Sequence, residues 1–154
     1  MSEALSKAYA KFLRNEVENH THALTITLRT DSQLECGVNR RNRFQETLRH
    51  LLNRINRSIF NHRHKREKYG IGVVTAIVSG NKFNRLHAHL SLACPPELSF
   101  TKFELVVHKS VSKCRSLGRV YELKMLSDRP GWAAYLSKDG TEAFAPECSQ
   151  RAKH

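Results

Sequence analysis

No apolar run in this chain approaches the roughly 20 residues that cross a bilayer, and the first residues mix Lys7, Lys11 and Arg14 with Ala and Leu where a signal peptide would be apolar. We therefore expect no membrane span and no export, and place the protein in the cytoplasm. The four cysteines, Cys36, Cys94, Cys114 and Cys148, are far apart and form no C-x-x-C pair, which argues against a zinc knuckle or redox motif. Buried, reduced thiols are the expectation. There is no internal repeat, no low-complexity tract and no Pro/Gly/Ser linker, so the 154 residues read as a single domain spanning 1–154. Within it, an N-terminal helix over about 3–18 and a C-terminal tail over about 143–154 are expected to be peripheral. A Gly-x-x-x-x-Gly-Lys-Ser/Thr string is also missing, so no helicase motor is expected. Acid is the scarce charge: 14 Asp and Glu stand against 26 Lys and Arg, a net charge of +12. Cations that neutralise phosphates release counterions and favour nucleic-acid binding, so a phosphate-rich partner leads.

Hydrophobic periodicity supplies a coarse architecture. In 23–29, Leu24, Ile26 and Leu28 alternate with small or polar residues, the pattern of a half-buried strand. Across 39–60, Phe44, Leu48, Leu51, Leu52, Ile55 and Ile59 recur at helical spacing, with arginines filling much of the remaining surface. The cluster 62–68 reads equally as a solvated loop or a DNA-backbone contact. Strands follow at 71–79 and 86–93, joined by the turn-rich link 80–85. Ser99 is placed to cap a helix reaching about Lys113; a strand at 119–125 and a short helix at 132–138, ended by Gly140, complete the chain. The order suits an α+β fold: an antiparallel sheet of four or five strands with flanking helices, not a parallel βαβ sheet.

Two constellations carry chemistry. His87 and His89 flank Ala88 in the strand 86–93, so both imidazoles project from one face, as a divalent metal requires. With nine histidines an H-x-H pattern is expected by chance, and two further copies, His20/His22 and His62/His64, lack an apolar strand around them. The second constellation is Tyr135 with Lys138, three apart on one helix face. A phenol is a weak nucleophile at neutral pH, and a neighbouring ammonium or metal-bound phosphate favours its anion.

Three segments in order, Leu24-Thr-Ile-Thr-Leu-Arg29, Leu86-His-Ala-His-Leu-Ser91 and Tyr135-Leu-Ser-Lys-Asp-Gly140, resemble the three motifs of the HUH endonuclease superfamily, specifically its rolling-circle replication initiator (Rep) branch. The Tyr-x-x-Lys-Asp-Gly string is the most specific of the three and is similar to that of Reps of small circular single-stranded DNA viruses. The resemblance implies a ferredoxin- or RRM-like HUH nuclease fold. It makes His87 and His89 ligands of Mn²⁺ or Mg²⁺, Tyr135 the single catalytic nucleophile, and Lys138 the group that orients the phosphate or a metal-bound water. Thr25, Thr27 and Arg29, with Arg85 before the histidine strand, would lie against the DNA. The implied reaction nicks and rejoins single-stranded DNA at an origin or hairpin through a 5′-phosphotyrosine. A host helicase is then a partner, and the location is nuclear if the source is a eukaryotic virus. One departure stands out. The family usually takes an acidic third ligand from the strand beside the histidines, yet 73–79 contains none. Asp139, then Glu142, then water are the candidates. A Rep-like relaxase or transposase of a mobile element shares the chemistry.

Two other classes compete. His89-Leu-Ser91 and His108-Lys-Ser110 each match the His-x-Ser half-motif of two-histidine phosphoesterases, which needs both histidines on neighbouring strands; His108 falls in a predicted helix. A non-catalytic RRM-like nucleic-acid binder would present aromatics from its sheet, and these strand faces lack the interleaved Phe and Tyr.

Overall fold

The alternating patterns become four strands in the computed structural model, which describes residues 2–29, 37–79 and 86–154. In chain order the elements are α1 (Glu3–Val17), β1 (His22–Leu28), α2 (Gly37–Phe60), α3 (His62–Glu67), β2 (Val73–Ser79), β3 (Leu86–Leu92), α4 (Phe100–Lys113), β4 (Leu117–Met125) and α5 (Arg129–Ser137), followed by 3-10 turns at Thr141–Ala143 and Pro146–Cys148. The strands form one sheet in the order β2-β3-β1-β4, every neighbouring pair antiparallel. With α2 and α4 as the crossovers this is a β-α-β-β-α-β arrangement, the ferredoxin-like topology, and it matches the expected α+β class.

Burial explains the layering. On one face Leu24 and Ile26 of β1, Ile77 of β2, Ala88, Leu90 and Leu92 of β3 and Leu117 of β4 pack against Phe44, Leu48, Leu51 and Ile55 of α2 and Phe103, Val107 and Val111 of α4. The helical residues recur every three or four positions, so a single stripe of each helix meets the sheet. Each large apolar side chain buried there contributes roughly 1.5–3 kcal/mol. Ser99 caps α4 as its composition suggested, its hydroxyl accepting from the Lys102 N–H at 3.3 Å.

The opposite face carries a smaller cluster, in which Tyr9, Leu13 and Val17 of α1 and Ala133 and Leu136 of α5 pack on Val74 and Ala76 of β2. These helices cover the β2 and β3 side. Toward β1 and β4 the sheet stays open, with Thr25 and Thr27 half-buried and Glu122 and Lys124 exposed.

Several details differ from the sequence reading. The charged cluster 62–68 contains a short helix, α3, which Lys68 ends in the left-handed region at φ 60°. Helix α5 begins at Arg129, three residues before the expected 132, because Asp128 caps it and Pro130 fits its first turn. Both terminal segments pack on the sheet. The α1 residues just named are buried, and the segment 143–154 runs along the outer side of β2, through bridges from Ala76 to Phe144, Val73 to Gln150 and Gly70 to Lys153. Cys114 and Cys148 are buried free thiols and Cys94 is a half-buried one. The link 80–85, with Arg85, and Cys36 lie outside the described residues.

Candidate active site

Strand register assembles the site. Ala76 pairs with His89, His89 with Thr25, and Thr25 with Glu122, so one row across all four strands reads Ala76, His89, Thr25, Glu122. In the next row Val78, His87 and Thr27 are opposed. Directly paired residues of antiparallel strands share a face. Both histidines therefore stand on the face that α5 partly covers, His87 half-buried and His89 only 5% exposed.

His89 is gripped at both ring nitrogens. The Thr25 hydroxyl lies 3.0 Å from Nδ1, and the Tyr135 hydroxyl lies 3.3 Å from Nε2. The His87 and His89 rings meet edge to face with centroids 4.9 Å apart, and Tyr135 meets His89 in the same manner at 4.9 Å. Trp132 stacks on Tyr135 at 5.4 Å between centroids, and the Lys138 ammonium sits 4.1 Å from the centre of the Tyr135 ring, a cation–π contact. Burial, reinforced by His87 and Lys138 and opposed by Asp139, pushes the His89 imidazole down to about 4. The ring is thus neutral at physiological pH. In the tautomer that donates Nδ1–H to Thr25, the Nε2 lone pair points at the Tyr135 hydroxyl.

Helix α5 is built to aim Tyr135. The Asp128 carboxylate accepts from the Gly131 N–H at 2.9 Å, and a side chain on Gly131 would collide with that carboxylate. Arg129 Nε donates to the His20 carbonyl at 2.7 Å and ties the start of the helix to the segment entering β1. At the far end Gly140 turns the chain at φ 77°, a conformation that L side chains rarely adopt. Ala133 and Leu136 face the sheet, which leaves Trp132 and Tyr135 at the mouth of a cleft of about 610 Å³ that they line with Thr25, His89, Glu122 and Asp128.

The donor chemistry fits a divalent cation in part. Two imidazoles on one face, one of them neutral and anchored through its second nitrogen, are what metal-binding histidines require. Among the described residues no three His, Cys, Asp or Glu groups converge as they stand. The acids around it are Asp139, exposed but felt by His89, and Glu122 and Asp128, which line the cleft; Glu122 lies 3.7 Å from Lys124, and Asp128 is engaged in capping α5. Glu142 is exposed and meets α2 through its backbone, its carbonyl accepting from Arg41. Mixed imidazole and carboxylate donors suit Mn²⁺ better than the all-oxygen preference of Mg²⁺.

Of the residues expected to touch DNA, Thr25 is engaged with His89, Thr27 stands beside His87, and Arg29 is exposed just past the end of β1, where its N–H donates to Ser116. Of the other H-x-H copies one is built into the scaffold: His20 is buried and pushed down to about 4, and His22 is buried with Nε2 3.1 Å from Glu104; the other stays at the surface on α3, where His62 is exposed and half-buried His64 contacts the Tyr69 carbonyl. His108 lies on α4, across the sheet from His89, with Nδ1 2.6 Å from the Tyr121 hydroxyl, so the two-histidine phosphoesterase pairing is not formed. Sequence reading missed Glu122 and the Thr25–His89 contact. Alternation in 119–125 puts Glu122 and Lys124 on one face, but the face is fixed only by pairing with β1. Comparison with known protein families, curated proteins and solved structures finds no match to this chain.

Proposed function

We propose that the chain is a single-tyrosine HUH-type endonuclease of the rolling-circle initiator kind, which nicks and rejoins single-stranded DNA. One observation carries the reading: the Tyr135 hydroxyl lies 3.3 Å from Nε2 of a buried, neutral His89 whose other nitrogen is held by Thr25. An imidazole oriented through its second nitrogen is what a metal ligand requires, and a tyrosine hydroxyl beside its free nitrogen sits at the edge of the place a cation would take.

His87 and His89 would hold the cation, Mn²⁺ or Mg²⁺, which would supply Lewis-acid stabilisation of charge developing on the non-bridging phosphate oxygens. Thr25 would keep His89 in the tautomer that leaves Nε2 free for it. Tyr135 attacks phosphorus in line; its O–P bond forms, the P–O3′ bond breaks, and the leaving 3′ oxygen ends as a hydroxyl. The Tyr135 proton passes to water on the open side of the cleft, where the side chain is 39% exposed. Lys138, over the phenol ring, offsets negative charge as the phosphate approaches. A 3′-OH reverses the step and reseals the strand without ATP.

Single-stranded DNA suits the cleft because the Trp132–Tyr135 stack offers an aromatic surface at its mouth and the β1 and β4 side of the sheet is open for the flanking strand. Strand separation then falls to a partner such as a host helicase, and origin or hairpin recognition to the basic surface. Relaxases and transposases of mobile elements share this chemistry. Incubation with a labelled random-sequence single-stranded oligonucleotide pool and Mn²⁺ tests the reading: an adduct that survives SDS is expected, absent in Tyr135→Phe. Cutting by Tyr135→Phe at the parental rate would overturn it.

A further inference from the structure

A second concavity lies on the other side of the sheet from His89 and Tyr135. The second half of α2, α3 and the second half of α4 enclose a groove of about 930 Å³. Its walls carry Arg54 and Arg57 from α2, Lys65 from α3, Lys68 just after it, and Lys109 and Lys113 from α4, and none of its lining residues is acidic. The spacing is regular: Arg54 and Arg57, like Lys109 and Lys113, are three or four residues apart, so each helix turns one cationic stripe toward the other. Five of the six cations are exposed; Arg54 is half-buried, its Nε donating to the neighbouring His50 at 3.1 Å.

A charge run on a helix is ordinarily a solvated face. Here cations from three helices converge, whereas elsewhere on the surface Lys7, Lys124 and Arg151 have acidic neighbours in Glu3, Glu122 and Glu16. Six like charges in one groove repel one another and destabilise the free protein, a cost that a polyanion offsets. The lining also contains no Phe, Tyr or Trp. Unpaired strands are held by stacking on aromatics as well as by cations, whereas duplex backbones are held through phosphates alone.

We infer that this groove binds the phosphate backbone of double-stranded DNA without reading its sequence, as a second nucleic-acid surface across the sheet from the tyrosine cleft. The inference goes beyond nicking and rests on that reading only for the choice of DNA. It lets one molecule hold the duplex beside an origin while α5 addresses the unpaired strand.

Duplex binding is measured on Tyr135→Phe protein, so it stays readable even if no tyrosine adduct forms. The probe is a fluorescent random-sequence duplex of about 20 base pairs, titrated from about 50 to about 200 mM salt. The double variants Lys109→Glu/Lys113→Glu and Arg57→Glu/Lys65→Glu are each expected to lose at least tenfold in affinity and to flatten the log–log salt slope by about 2, the share of two phosphate contacts. The milder Lys109→Gln/Lys113→Gln is expected to move the same way. All should melt no lower than the parent, since like-charge repulsion is relieved, and a control pair on α1, Lys11→Glu/Arg14→Glu, should lose much less. Duplex affinity within twofold of the parent overturns the inference. So does an equal loss in the α1 control, which assigns binding to net charge alone, or variants that lose binding to phosphatidylserine vesicles but keep the duplex.

Discussion

The Thr25 hydroxyl lies 3.0 Å from Nδ1 of His89, across the β1–β3 pair that also places Thr27 opposite His87. A ring held through Nδ1 has only Nε2 to offer, and that nitrogen faces Tyr135. On the proposed function, Thr25 would act on the chemistry through His89, as a positioning residue. Thr25→Val, which keeps the shape and removes the hydroxyl, should weaken Mn²⁺ binding by about 10- to 100-fold, the usual cost of losing a partner that orients a histidine ligand. Thr25→Ser should restore most of it. Calorimetric titration with Mn²⁺ decides; equal affinities for the Val and Ser variants would show that the contact is incidental.

Glu122 shares the row of His89 and Thr25 and lines the same cleft, while Glu142 contacts α2 through its backbone. Glu122→Gln is expected to reduce Mn²⁺ affinity by about tenfold or more, with Glu142→Gln unchanged. If Asp139→Asn gives the loss instead, the third donor comes from the tyrosine helix.

Aiming of Tyr135 depends on the start of α5. Asp128→Ala removes the cap on Gly131 and should cost about 1 kcal/mol of stability. Gly131→Ala forces the Asp128 carboxylate aside and should do the same. Both are expected to slow adduct formation by more than the change in folded fraction, since the helix that carries the proposed nucleophile is loosened. Thermal melts beside single-turnover rates test this; rates that track the folded fraction alone would count against it.

Acid should destabilise the fold as soon as the pH falls below about 6.5. His20 and His89 are both pushed from the ordinary value near 6.5 to about 4, chiefly by burial. As pH falls below 6.5 the unfolded chain binds these protons and the folded one does not. Stability is therefore complete above pH 6.5 and lost progressively toward pH 4, by roughly 2 kcal/mol for each ring at pH 4.5. Urea unfolding at pH 7.5 and 4.5 measures the loss, to which buried His22, lowered in the same direction, adds, and His20→Gln should make it smaller. A flat profile over that interval would contradict the buried neutral histidines.

The elements were legible because burial follows the helical and extended periods, and all four strands and the longer helices fall where Leu, Ile, Val and Phe recur. What lay beyond reading was register. Nothing in 23–29 or 119–125 says that Thr25 will stand between His89 and Glu122, because that follows from how β1 slots between β3 and β4. From sequence alone Thr25 reads only as a residue near DNA, and Glu122 carries no signal. In the same way the arginines of α2 were visible as a basic surface, but which of them face Lys109 and Lys113 is set by the packing of α2 on α4. Tyr135 and Lys138 were legible because their relation is local to one helix.

The most direct measurement locates the covalent bond. After reaction with single-stranded oligonucleotides and Mn²⁺, the protein is digested with nuclease and protease and its peptides are weighed. A nucleotide 5′-phosphate on the peptide that carries Tyr135 is the predicted result. DNA cleaved with no modified peptide, or with the phosphate on Tyr9, Tyr69 or Tyr121, would contradict it.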